Sequence, residues 1–302
     1  MAFLRSRKTD NCLASIKLII LSSTILAMTF AYATVHACTT WASTGSVNAT
    51  PGTIVVKNRD AGHHGLEKIQ IFHPKNAYAY LALVYKSKLS QKNYSYISAG
   101  INSQGLVVVN NAASSTPTQN RDQGETITMR NILAHFNNVT QVISAQHSLF
   151  TTNLVNNLII GDSRQIAVIE IGKQHQYNIK TTTNGVLYHT NQYEAKNLQS
   201  QNTIVFPDSL MRYKTIGTLL HDHKQPYTFN YFQYLTNRQF NGLNSSIFRK
   251  WTVATWIASI PVDGCPSLYV RFTNPQQPYH VYRLTMCKPF WQQKSLPHDP
   301  SQ

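Results

Sequence analysis

Cys38 is the residue in this chain best placed to do chemistry. It follows Val35-His36-Ala37, and small residues stand three and one positions before it. A cut after Ala37 makes Cys38 the first residue of the mature protein. A first-residue cysteine carries a thiol and a free α-amine on the same residue, a nucleophile with a base built in. The amine accepts the thiol proton and later protonates a leaving nitrogen.

The leader supports that cut. Arg5, Arg7, Lys8 and Lys17 precede an apolar run over 18–28. A charged region, a short apolar run and a small-x-small site have the anatomy of a secretory signal peptide. The run is shorter than the roughly 18–20 residues a membrane span needs. The expected organisation is therefore a cleaved leader over 1–37 and one domain over 38–302, secreted or periplasmic. A rival is a lipoprotein signal, in which Cys38 is acylated. That would cap the amine and leave a non-catalytic, anchored binding protein. His36 inside the box and the long polar stretch before Cys38 favour the free cysteine.

Removing 37 of 302 residues leaves 265, ample for one large core. Charged residues make up only 13%, while there are 16 tyrosines, so the chain reads as folded, aromatic-rich and polar without charge. The formal charge is +15, of which the leader supplies +3. A basic surface favours anionic substrates or anionic surfaces. The cations are dispersed, with no compact run or aromatic RNA-binding signature, so no nucleic-acid partner is expected. Cys12 leaves with the leader, and Cys265 and Cys287 can pair in an oxidising compartment, which leaves Cys38 as the odd thiol. No C-x-x-C or His-rich pattern occurs, so neither metal nor cofactor is expected.

The pattern along the chain predicts strands over 38–43, 52–60, 68–73 and 79–85, then a hairpin with its tip near Gly105 leading into 106–109. Helices are predicted over 126–136 and 139–149. Strands return over 157–161, 165–171, 177–180 and 185–189. Helices follow over 207–220 and 229–238, and strands over 252–261, 267–273 and 280–286 close the chain. Antiparallel hairpins dominate. Two sets of helices between sets of strands point to an α+β chain, two packed sheets with helices outside.

Several stretches occur in a telling order: Cys38-Thr-Thr-Trp41, Val56-Lys-Asn-Arg-Asp60, 99–109, His189-Thr-Asn191 and Ser209-Leu-Met-Arg212. Together they resemble the N-terminal-nucleophile (Ntn) hydrolases of the choloylglycine hydrolase and penicillin V acylase type. They are similar also to the acyl-coenzyme A:6-aminopenicillanate acyltransferase branch. The resemblance implies a four-layer αββα sandwich of two mainly antiparallel sheets. It implies catalytic roles for Cys38 as nucleophile, Asp60 orienting amine and thiol, Asn191 in the oxyanion hole and Arg212 beside the nucleophile. Lys57 aligns where bile-salt-type members carry Arg, and Arg59 stands on the same face by alternation; either can serve the site. Asn111, or less favourably Asn110, is the second oxyanion donor. His63, His64, His189, His221 and His223 offer a Cys–His pair on paper, but an N-terminal amine makes a histidine base unnecessary.

The activity so implied is hydrolysis of a small-molecule N-acyl amide through a thioester on Cys38. Candidates are penicillin V-like amides, N-acyl homoserine lactones, conjugated bile salts and N-acyl amino acids or lipids. Acyl transfer is the alternative, and the residues do not separate the two. Family members often form tetramers, so a homo-oligomer is an expectation of the resemblance.

Overall fold

The computed structural model describes residues 38–61, 65–87, 96–116, 121–150, 155–273 and 280–296. The expected leader, His63 and His64 lie outside them. Among the described residues, thirteen strands form two antiparallel sheets. The first runs β10 (Gly185–His189), β1 (Thr39–Thr44), β2 (Gly52–Asp60), β11 (Thr252–Pro261), β12 (Ser267–Phe272) and β13 (His280–Thr285). The second runs β3 (Gly65–Phe72), β4 (Tyr80–Ser87), β5 (Tyr96–Asn102), β6 (Val107–Asn111), β7 (Asn156–Gly161), β8 (Ile166–Ile171) and β9 (Tyr177–Thr182). Apart from the β10–β1 and β2–β11 pairs, hydrogen-bonded neighbours are successive in the chain, which is why hairpin signals located them well.

Three apolar layers hold the sheets. Alternate residues such as Ala42, Val55, Val107, Val109, Ile159 and Val168 face each other between the sheets. Leu106 and the other faces of β6, β7 and β8, with Val108, Leu158 and Ile169, pack against Met129, Ile132 and Leu133 of α1 (Arg121–His135). Val142 of α2 (Val139–Ser144) and Phe150 of α3 (Gln146–Phe150) join that layer. Trp41, Val56 and Ile257 on the far side of the first sheet pack against Ile216 and Leu220 of α4 (Pro207–Asp222) and Phe232 of α5 (Phe229–Leu235). A short α6 (Gly242–Ser245) follows. The result is the helix–sheet–sheet–helix layering that the pattern predicts. No helix among the described residues is long and apolar enough to cross a membrane.

Local chemistry explains the boundaries. Asn138 caps α2 by accepting from the Gln141 N–H at 2.8 Å, and Thr228 caps α5 by accepting from that of Tyr231 at 3.0 Å. Pro207 opens α4, where its missing N–H costs nothing. Gly100 lets α1 sit close on β5, because a Cβ there would come 2.5 Å from Leu133 Cδ1. The single helix expected over 139–149 is two, broken at Ala145. The helix expected from 126 begins at Arg121.

Cys265 and Cys287 form a disulfide that closes β12 and β13 at one end. The bridge spans 22 residues, a loop whose closure in the unfolded chain is worth about 3 kcal/mol. Replacing both cysteines by serine is expected to lower unfolding stability by about that amount in a denaturant titration. Cys38 alkylation in the folded protein should be unaffected.

Candidate active site

The site is built where β1 begins and β2 ends. Thr39 pairs with Asn58 across these strands, so Cys38 arrives beside the last residues of β2. Its Sγ lies 4.0 Å from the backbone oxygen of Asp60 and is buried. Arg212, from the second turn of α4, reaches across to this point. It donates to the Cys38 carbonyl at 2.6 Å and to Thr39 Oγ1 at 2.9 Å. Its other terminal nitrogen donates to Asn191 Oδ1 at 3.1 Å and to Asp208 Oδ2 at 3.4 Å. One planar guanidinium therefore ties the Cys38 backbone to Asn191, a geometry a lysine could not supply.

Asn191 is held from other sides too. Its backbone N–H donates to Ser209 Oγ at 3.1 Å and its Nδ2 to the Ala112 carbonyl at 2.8 Å. The amide thus sits between α4 and the chain leaving β6.

Asp60 is fully buried, and its carboxylate does not point where its carbonyl does. Oδ2 accepts from Arg249 Nε at 2.7 Å, and Oδ1 accepts from Thr252 Oγ1 at 2.7 Å. Arg249 NH1 also donates to Asp208 Oδ2 at 2.6 Å. Asp60, Arg249, Asp208 and Arg212 thus form one continuous chain of alternating charge. Burial and the neighbouring Arg249 cation push the Arg212 guanidinium down from its ordinary value, against the pull of Asp60 and Asp208. Burial also works against charge on Arg249, but Asp60 and Asp208 outweigh it and hold that group above its ordinary value.

The other expected residues face the space between the sheets. Lys57 and Arg59 do share a face of β2, the one toward the second sheet. Lys57 donates from Nζ to the carbonyl and to Oδ1 of Asn110, the latter at 2.6 Å. Arg59 donates to Glu67 Oε1 at 3.1 Å and lies over the Tyr85 ring, 4.0 Å from its centroid. Burial raises the Glu67 carboxyl above the ordinary carboxylate range in spite of Arg59. Asn111 donates Nδ2 to Thr40 Oγ1 at 2.6 Å, and its Oδ1 is buried without a partner. So the structure brings Cys38, Asp60, Asn191 and Arg212 into one network, and places Lys57, Arg59 and Asn111 between the sheets.

The described histidines also go elsewhere. His221 pairs with Asp222 in solvent, and His223 stacks on Tyr231. His189 Nε2 lies 2.6 Å from Glu170 Oε1, both buried. Among the described residues, no group of three or more His, Cys, Asp or Glu side chains is placed to hold a metal.

Sequence reasoning missed Arg249. It is 189 residues from Asp60 and belongs to no spaced motif, so no local pattern marks it. A usable signal was the scarcity of acids, 12 against 27 Lys and Arg. A buried Asp at a strand end must find a cation or neutralise.

Two outcomes follow. Removing Arg249 leaves buried Asp60 without its cation, so Arg249→Ala is expected to cost about 3–5 kcal/mol in denaturant unfolding, with Arg249→Lys intermediate. The second concerns pH. Burial would lower the His189 imidazole, but the Glu170 carboxylate outweighs this and raises it above 6.5. Burial would likewise raise Glu170, but His189 and the Glu194 and Ala195 N–H groups lower it below 4.5. The His189 contribution is full below pH 6.5 and is lost as pH rises through its raised folded value. The Glu170 contribution is full above pH 4.5 and is lost as pH falls through its lowered one. The Tm gap between wild type and His189→Gln should therefore be widest between pH 4.5 and 6.5 and shrink on either side.

The fold is shared with known structures. Over 86% of this chain and 97% of theirs, two forms of conjugated bile acid hydrolase from Clostridium perfringens superpose with TM-scores of 0.52. One is an Arg-to-Leu variant, 13% identical, and the other a Cys-to-Ala mutant, 12% identical. At that identity the likeness is one of fold. No curated protein matches the chain in sequence. Residues 47–263, some seven-tenths of the chain, match one family model. The chain belongs to the acyl-coenzyme A:6-aminopenicillanic acid acyl-transferase family.

Proposed function

We propose that this chain is an exported cysteine amidohydrolase acting on small-molecule N-acyl amides. The observation that carries the reading is the Arg212 guanidinium, which links the Cys38 carbonyl to Asn191 beside a buried thiol. In this reading the leader is removed after Ala37, and the freed α-amine of Cys38 takes the thiol proton. Sulfur attacks the amide carbonyl. The negative oxygen that develops needs fixed donors, and the Asn191 amide is the one within the network. Collapse of the intermediate breaks the C–N bond. The protonated α-amine gives its proton to the departing nitrogen, an amine leaves, and a thioester remains on Cys38. Water, deprotonated by the same amine, then releases the carboxylic acid and restores the thiol.

Buried Arg212 holds the first residue's carbonyl so that sulfur and amine keep a fixed relation to Asn191. Asp60 fixes the end of β2 through Arg249 and Thr252, and its carbonyl stands next to the sulfur. The basic surface suits an anionic substrate or an anionic surface. The family description favours a second reading of the same site, in which an amine rather than water takes the acyl group from the thioester.

Edman sequencing of the exported protein should begin at Cys38. Incubation with a panel of penicillin V-like, N-acyl homoserine lactone, bile-salt and N-acyl amino acid amides should leave an acyl adduct on that residue. Cys38→Ala should lower kcat by on the order of 10³-fold or more while the protein stays folded. Asn191→Ala should cost about 10²–10³ in kcat with little change in KM. A different first residue, or a lipid on the Cys38 nitrogen, would overturn the reading. Faster acyl release with an added amine, and an N-acyl product, would select transfer over hydrolysis.

A further inference from the structure

We propose that Glu170 and His189 are positioning residues that hold Asn191 in its working place, an inference that rests on the amidohydrolase reading. Glu170 lies on β8 of the second sheet, and His189 ends β10 of the first. Their contact bridges the two sheets. Glu170 Oε1 accepts from His189 Nε2 at 2.6 Å and from the Glu194 N–H at 2.7 Å. Its Oε2 accepts from the Ala195 N–H at 2.9 Å. One carboxylate thus grips residue 189 and residues 194 and 195, and Asn191 lies between the two grips.

His189 adds a third hold. Its Nδ1 lies 2.8 Å from the Thr190 carbonyl oxygen. A carbonyl and an ionised carboxylate can only accept, so both bonds are made when the ring is an imidazolium, the form that Glu170 favours. The imidazolium therefore fixes the peptide plane that leads directly into Asn191, while Glu170 fixes the imidazolium.

A buried ion pair is a poor device for stability alone, since well-packed apolar side chains often do as well. Here every bond of the pair converges on the stretch 189–195. Neither residue is a side-chain partner of Cys38, but His189 pairs across the sheet with Thr40, two residues along β1, so the test must separate a route through β1 from one through Asn191. A cleft of about 310 Å³ opens on the pair and is lined also by Val168, Lys180, Leu187 and Tyr213. It gives small solutes a route to His189.

The test uses the secreted protein with Cys38 intact, and the variants Glu170→Ala, Glu170→Gln and His189→Ala. Three readouts are taken: hydrogen exchange in peptides covering 189–196, kcat and KM on an amide the wild type hydrolyses, and the rate of Cys38 alkylation by iodoacetamide. In Glu170→Ala, exchange at 194 and 195 should quicken tenfold or more. Its kcat should fall at least tenfold, with KM within threefold and alkylation within twofold of wild type. Glu170→Gln, which keeps an acceptor, should recover most of kcat, and imidazole in the buffer should do the same for His189→Ala.

Unchanged exchange, or kcat within twofold of wild type, overturns the proposal. So does alkylation that falls in step with kcat, because the pair would then support the whole site rather than Asn191. Should Glu170→Ala fail to fold, His189→Ala decides: no gain in kcat with imidazole is a negative result. A wild type that cleaves no amide sinks the hydrolase reading by itself, and the exchange data then judge the clamp alone.

Discussion

The structure depends on how β2 disposes of four successive polar side chains. Lys57, Asn58, Arg59 and Asp60 are all buried, at the end of a strand covered on both faces. Each must find partners or unfold the strand, because an unpaired buried charge costs several kcal/mol. Alternation sends them to opposite layers. Lys57 and Arg59 enter the space between the sheets and meet Asn110, Glu67 and Tyr85. Asn58 and Asp60 face the helices. Asn58 donates to the Thr236 and Ile247 carbonyls and accepts from Thr255 Oγ1, while Asp60 takes Arg249 and Thr252. These bonds fix the strand that stands beside Cys38.

Acids are scarce, and Asp60, Asp208 and Glu170 each serve more than one partner. Asp208 receives both Arg212 and Arg249, and Glu170 receives a side chain and two backbone N–H groups. Two guanidinium groups near one another would repel, and Asp60 and Asp208 offset that. The start of β1, α4, the end of β2 and the approach to β11 are thereby locked to one another beside Cys38. A site so cross-linked is preorganised, which is what stabilisation of developing charge requires.

Between the sheets the core changes character along its length. Val109, Ile159 and Val168 face Ala42, Val55 and Leu187 in an apolar layer. One step closer to the site, the same strands present Asn111, Asn157 and Glu170 opposite Thr40, Lys57 and His189. The polar belt is largely paired across the sheets, through Asn111 to Thr40 and Glu170 to His189. It fixes the register of sheet on sheet more tightly than methyl groups could, because hydrogen bonds have direction. Asn157 has both amide atoms buried without a protein partner, which marks the belt as polar throughout.

Period-two alternation, turn residues and capping signals determined the thirteen strands and the main helices, because each depends on neighbours a few residues away. The proposed cut marked Cys38, the resemblance of short ordered stretches to a known family marked Asp60, Asn191 and Arg212, and alternation put Lys57 and Arg59 on one face. It could not tell that Lys57 ends on Asn110 or that Asp60 is held by Arg249. Nor did it see that His189 binds Glu170 rather than standing idle. Those pairings join residues 19 to 189 positions apart. Only the packing of two sheets and a helix layer brings such partners within 3 Å, and no local periodicity carries that distance.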